Sequence, residues 1–383
     1  MKTQSKNMDY RILPKSGDRI STVALGGTHM ADLTSQEAAG LVSQAVANGI
    51  NFVDFATTSP KSFALFGPEI KRHRLMFSLH LGLTFTDDGV YERSRDLEKV
   101  KSNFEAQLAQ TGRDCADVGF IIYADDLPDY EEVFSSGVFD YALQLKKSGR
   151  IRNLGFSSHN PDIARRYIET GEFDVCLFSI NPAYDLDPVK YNPLEQDLSA
   201  MNAISVAQER AELYRLAEKH RVGLMVMKPF AGGLLLNPKT TPFERSLTVP
   251  QCLQYCLDRP AVVSCMIGLR SSTELDGVLA YYDSSPEERD YAFIADLQYS
   301  DMLGKCVYCG HCQPCPSGID IALVNKFADL YAVGDELACE HYQALEHKAS
   351  DCVECGSCEE RCPFKVRVIE RMRQTADVFD ESV

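Results

Sequence analysis

The chain has 383 residues, 39 basic against 55 acidic side chains for a formal charge of −16, no tryptophan and 14 cysteines. Hydrophobic and charged shares of 45% and 25% match the globular average and exclude wholesale disorder. The acidic balance, with no basic patch, argues against a nucleic-acid partner. No apolar run approaches the ~20 residues of a membrane span, and the first residues do not resemble a leader. A cytoplasmic protein is expected, whose cysteines serve metal or redox chemistry rather than disulfides.

In chain order, eight β-rich apolar runs stand out: Thr22–Leu25, Asn51–Phe55, Leu75–Leu81, Val118–Tyr123, Arg152–Phe156, Val175–Ile180, Gly223–Lys228 and Val263–Ile267. Amphipathic stretches with readable ends alternate with them. Thr34-Ser-Gln-Glu37 is a capping box, and Gly49 ends the helix that follows. Asn160-Pro161 places a cap before a proline at the first helical position, and Ser271 to Glu274 repeats the box. Eight β-then-α units predict a (β/α)8 TIM barrel over residues 1–295. The alternative is an open doubly wound sheet, but no GxGxxG follows the first strand.

Chemistry in such a barrel gathers where strands end. The residues there are Asp54, His80, Tyr123 with Asp125 and Asp126, Ser157, Ser158, His159, Asn181, Lys228 and Arg270. Any one carboxylate on such a rim is more often a helix cap or a solvated charge than a catalyst, and it is their clustering that points to chemistry. Two long connections, residues 184–206 and 231–247, read as substrate or docking loops.

The C-terminal stretch, residues 296–383, differs in kind. Eight cysteines lie there in two runs, Cys306, Cys309, Cys312 and Cys315, then Cys352, Cys355, Cys358 and Cys362. The second fits the C-x2-C-x2-C-x3-C-P pattern of two-cluster ferredoxins, and the first is one residue shorter before its last cysteine. In that pattern the fourth cysteine serves the companion cluster. Cys306, Cys309, Cys312 and Cys362 would then hold one [4Fe–4S] cluster, and Cys352, Cys355, Cys358 and Cys315 the other. The competing reading is a pair of structural zinc sites. Helical spacing over Ile319–Val333, Glu336–His347 and the tail with Val366, Ile369 and Met372 predicts a small, mainly helical ferredoxin-like domain. Residues 300–383 carry 15 acidic and 8 basic side chains, a surface suited to a basic redox partner. The six scattered cysteines read as apolar packing.

Several segments together resemble the aldo-keto reductases: Asn51-Phe-Val-Asp54, Gly149 through His159, Phe173-Asp174 through Asn181-Pro182, Met227-Lys-Pro-Phe-Ala-Gly-Gly233 and Ile267 to Ser271. The Met-Lys-Pro segment and the cysteine module are similar to the branch carrying a ferredoxin-like domain, where the shorter Cys312–Cys315 spacing is usual. The resemblance implies carbonyl reduction by hydride transfer from NADPH with an Asp, Tyr, Lys and His tetrad. Asp54 stands at the aspartate position. Ser59 stands where the tyrosine is expected, His80 where the lysine is, and Ile122 or Tyr123 where the histidine is.

For NADP(H) the resemblance implies Ser157, Ser158, His159, Asn181, Lys228 and Arg270 as contacts. Leu177, Val278 and Met227 replace the family's glutamine, asparagine and stacking tyrosine. Three readings follow. The first is an iron–sulfur oxidoreductase acting on a small organic substrate, with Asp54, His80 and Tyr123 as a rearranged acid/base set. The second is an ordinary NADPH-dependent carbonyl reductase. The third is an electron-transfer protein in which the barrel only docks a partner.

Overall fold

The computed structural model describes residues 8–27, 29–185, 208–239, 241, 243, 245–296, 304, 306, 312–332, 336–362 and 365–380. Its strands are β1 (Tyr10–Ile12), β2 (Arg19–Ser21), β3 (Val23–Gly26), β4 (Phe52–Asp54), β5 (Met76–Leu81), β6 (Leu83–Phe85), β7 (Tyr91–Arg93), β8 (Ala116–Ile121), β9 (Ile151–Ser158), β10 (Val175–Ser179), β11 (Gly223–Met227) and β12 (Val262–Gly268). Eight of them close a barrel in the order β10-β11-β12-β3-β4-β5-β8-β9. These are the eight runs expected from sequence, and every barrel neighbour pairs in parallel. The open-sheet alternative falls.

The helices that return the chain between barrel strands are α1 (Ser35–Ala47), α2 (Lys61–His73), α3 (Leu97–Thr111), α4 (Leu127–Ser135), α5 (Val138–Ser148), α6 (Pro161–Glu169), α7 (Pro182–Asp185), α8 (Gln208–Lys219) and α9 (Val249–Leu257), and α10 (Ser272–Leu279) follows the last strand. Their ends follow local chemistry. The Thr34 box is complete, with Thr34 Oγ1 accepting from Glu37 N and Glu37 Oε2 accepting from Thr34 N at 2.8 Å. At α10 the return half differs. Ser271 Oγ accepts from Glu274 N, but Glu274 Oε2 takes the Arg270 N–H at 2.6 Å rather than that of Ser271.

Two hairpins were not anticipated. β1 and β2 pair antiparallel, and Leu13 and Ile20 from this hairpin join the barrel's core cluster. β6 and β7 pair antiparallel between β5 and α3. The core cluster runs through Phe52, Val118, Phe120, Val175, Leu177 and Met225. Phe120 fills the place where Gly155 lacks a side chain, since a Cβ there would lie 2.4 Å from its ring. Cys176, Cys252, Cys256 and Cys265 are all buried. Burial pushes the Cys176 thiol well above its ordinary value, as befits a packing residue.

The chain divides into two compact units. One holds 1–180, 209–229 and 253–289; the other gathers 181–208, 230–252 and 290–383. Within the second unit lie α7 and, after α11 (Pro286–Arg289) at the end of the first, the helices α12 (Ile321–Ala332), α13 (Glu336–Gln343), α14 (Ser357–Arg361) and α15 (Val368–Phe379). Tyr342 stacks on Phe379 at 4.4 Å, and its hydroxyl bonds Asp380 Oδ2 at 2.9 Å. Lys326 lies 4.7 Å over the Tyr184 ring, and Arg245 4.0 Å over Phe293. No described helix is long and apolar enough to cross a membrane.

Candidate active site and cysteine pocket

Successive strand residues face opposite sides, so the core cluster sets which rim residues look into the barrel. Phe52 faces in, and with it Asp54; Met76 faces in, and with it Ser78 and His80. Asp54 lies in register with Ser78. Its Oδ1 accepts from Ser78 Oγ at 2.5 Å and is bonded to His80 Nε2 at 2.7 Å. The Asp54 and His80 side chains are only 4% and 2% exposed. The His80 ring packs beside Phe120 with centroids 5.2 Å apart. A carboxylate on Nε2 makes that nitrogen the donor and leaves Nδ1 as the atom that takes or gives a proton.

Tyr123 falls elsewhere. Ile122 N bonds Leu81 O at 2.9 Å, which carries the alternation past the end of β8. Ile122 thus shares the inward phase of Phe120, and Tyr123 the outward one. There its ring meets His159 edge-on at 5.6 Å, with the Arg93 guanidinium 4.8 Å from its centroid. Burial pushes the Tyr123 hydroxyl up to about 12 against the opposing pull of Arg93.

Beside it sits a second histidine–carboxylate pair. Asp125 accepts from His159 N at 2.5 Å and is bonded to His159 Nδ1 at 2.8 Å. Ser158 Oγ lies within hydrogen-bond reach of Ala124 O, Asp125 Oδ1 and Asn160 O, and accepts from Asn160 N. Its single proton can serve only one of those three acceptors at a time, and one lone pair takes the Asn160 N–H. Asp126 caps α4, accepting from Asp129 N at 2.8 Å. Asp129 in turn binds Arg93 and, through both carboxylate oxygens, Arg95 at 2.8 and 3.0 Å. Both arginines also donate to Tyr123 O.

The remaining rim residues divide. Ser157 faces the same way as Leu177, its register partner on β10, and is buried. Asn181 is buried, and its Oδ1 accepts from Tyr184 N at 3.0 Å to start α7. Lys228 has a left-handed φ of 58°, a strained state for a residue with a Cβ. Arg270 is exposed just past β12. Ser59, at the family's tyrosine position, supplies the carbonyl that Ser62 N bonds at the entry to α2. Of the long connections, 186–207 lies outside the described residues.

In the C-terminal unit, a pocket is lined by Cys315, Cys352, Cys355 and Cys358, with Arg361 and Met372 among its walls. Arg361 Nη2 donates to Cys312 O at 2.8 Å and Pro314 O at 2.7 Å, tying the first cysteine run to α14. Cys306, Cys312 and Cys362 are described, Cys309 is not. Asn325 Nδ2 donates to Cys306 Sγ at 3.5 Å and Val366 N to Cys362 Sγ at 3.4 Å.

Residues 22–248 match the aldo/keto reductase family, and 302–366 match a 4Fe–4S dicluster domain. The chain belongs to the aldo/keto reductase family. It is thus an oxidoreductase-family barrel joined to an iron–sulfur domain. An aldo-keto reductase of Bacillus halodurans, in its holo form, superposes with a TM-score of 0.59 at 18% identity, covering 76% of this chain and 97% of that one. A Pseudomonas aeruginosa protein assigned to the aldo-keto reductases gives 0.55 at 20% identity, covering 74% and 98%. At these identities the likeness speaks for the fold. Comparison with curated proteins gave no match.

Set in this aldo/keto reductase frame, sequence reasoning missed Ser78, Asp129 and the Arg93–Arg95 pair. Ser78 carried a signal: two residues before His80 in an otherwise apolar strand, it must share the inward face. Arg93 carried a weaker one, Asp88-Gly89, a hairpin turn signature that places it on β7.

Proposed function

We propose that the protein is an iron–sulfur oxidoreductase whose barrel exchanges protons with a small organic substrate through His80 and Asp54. The buried Asp54–His80 bond, braced by Ser78, is the observation that carries this reading. Asp54 holds the imidazole at Nε2 and balances the charge when Nδ1 is protonated. Reducing a carbonyl takes two electrons and two protons; in that direction His80 gives one proton from Nδ1, and solvent at the barrel mouth gives the other. Tyr123, with its proton held tightly, serves as a hydrogen-bond donor at the outer rim.

For the C-terminal domain we propose two [4Fe–4S] clusters, one on Cys306, Cys309, Cys312 and Cys362 and one on Cys315, Cys352, Cys355 and Cys358. The second set fits the group. Four thiols around a pocket suit a multi-iron cube, whereas one zinc would draw its sulfurs to about 2.3 Å from a single point. Bound there, the clusters supply electrons singly, and a basic redox protein is the proposed partner for the acidic domain.

NADP(H) fits less well. Ser158 and His159, which would face the carboxamide, are bonded inward to Asp125 and Asn160, leaving Arg270 and Lys228 as the cationic contacts.

The test is anaerobic isolation with metal analysis, then substrate turnover with a chemical one-electron donor. About eight irons and eight sulfides per chain are expected, and about two zincs would overturn the cluster assignment. His80→Ala should lower kcat by roughly 10²–10⁴-fold, the usual range for a lost acid/base group, and full activity would sink the acid/base role. Turnover by NADPH alone, undiminished in His80→Ala, would favour an ordinary carbonyl reductase.

A further inference from the structure

A thiolate's electron density responds to what donates to it. Asn325 is fully buried on α12, and its Nδ2 donates to Cys306 Sγ at 3.5 Å. An amide can present either end, and here a neighbour decides which. Arg371 on α15 donates Nε to Asn325 Oδ1 at 2.9 Å, so the oxygen faces the guanidinium and the NH2 group faces the sulfur. Arg371 is itself anchored: its Nη2 donates at 2.5 Å to Asp329 Oδ1, one turn beyond Asn325 on α12. Charge-assisted bonds of this kind are the strong and directional ones. A purely packing residue between two helices would be better served by leucine, because a buried amide needs every polar atom satisfied.

We propose that Asn325, oriented by Arg371, is a positioning residue that raises the reduction potential of the cluster held through Cys306. This rests on the cluster assignment above. A hydrogen bond to a ligand sulfur withdraws density from it and favours the reduced, more negative state of the cluster; burial strengthens the effect.

The test is a potentiometric titration of the intact protein, following the reduced-cluster electron paramagnetic resonance signal. Asn325→Leu removes the donor. Asn325→Asp keeps the shape and the Arg371 partner but offers the sulfur an oxygen. In each, one of the two midpoints should move to lower potential while the other stays. The expected size is about a tenfold fall in the reduced-to-oxidised ratio at fixed potential, equal to about 59 mV for one electron. Arg371→Gln should shift the same midpoint by less. Unchanged midpoints with full iron content would overturn the proposal. So would loss of iron from both Asn325 variants, since the residue would then be holding the cluster in place rather than setting its potential. A parent protein without cluster signals would instead overturn the assignment on which the proposal rests.

Discussion

A carboxylate oxygen that accepts two donors fixes both. Asp54 Oδ1 holds Ser78 and His80 together in a buried site, so the serine acts on the histidine through the aspartate. Ser78→Ala removes a bond to a charged group, and we expect a stability loss of about 1.5–3 kcal/mol by denaturant titration, with kcat falling less than in His80→Ala. Tyr123 makes a different prediction. Its hydroxyl is held up to about 12 when folded, above the ordinary 10 it has when unfolded. Between those values the unfolded chain sheds the proton and the folded one keeps it, so stability falls as pH rises through that window and levels off above it. Tyr123→Phe should flatten part of that alkaline decline in denaturation midpoints, and an unchanged slope would refute the raised value. Asp54 and His80 were legible because both stand at strand ends in an apolar setting. The outward phase of Tyr123 was not, because phase depends on where pairing stops, and that is settled by a single bond from Ile122 to Leu81.

At the scale of elements, the β6–β7 hairpin and α4 are joined by one carboxylate serving two guanidiniums. Asp129→Asn would leave Arg93 and Arg95 partly buried without their counter-charge. Breaking such a group costs about 3–5 kcal/mol, read as a lowered denaturation midpoint with the barrel's circular dichroism otherwise retained. By contrast, Thr34→Ala at an exposed cap should cost about 1 kcal/mol. The cap was readable, since its four residues lie together in sequence. The ion group was not: Arg93 and Asp129 are 36 positions apart, and charge pairing at that range leaves no pattern. The displaced partner of Glu274, one residue short of the expected cap, shows the same limit at the shortest range.

At the scale of the whole molecule, eight alternating units were enough to predict the barrel, because each strand is a mostly apolar run and several helices carry readable caps. The C-terminal helices were likewise foreseen from spacing. What no local pattern revealed is that the described residues within 181–208 and 230–252, seated between barrel strands in sequence, cluster with the C-terminal helices. The chain passes back and forth between the units five times. The iron–sulfur part is therefore not a pendant that a single cut could release. A nick near residue 295 should leave both fragments co-eluting on gel filtration without denaturant, and their separation there would contradict this. A gene ended at that codon would strand Tyr184 without Lys326, and Arg245 would still have Phe293 but no helices beyond it. Removing the domain would therefore also require two barrel connections to be redrawn, because each is grouped with the C-terminal helices rather than with the strands it joins.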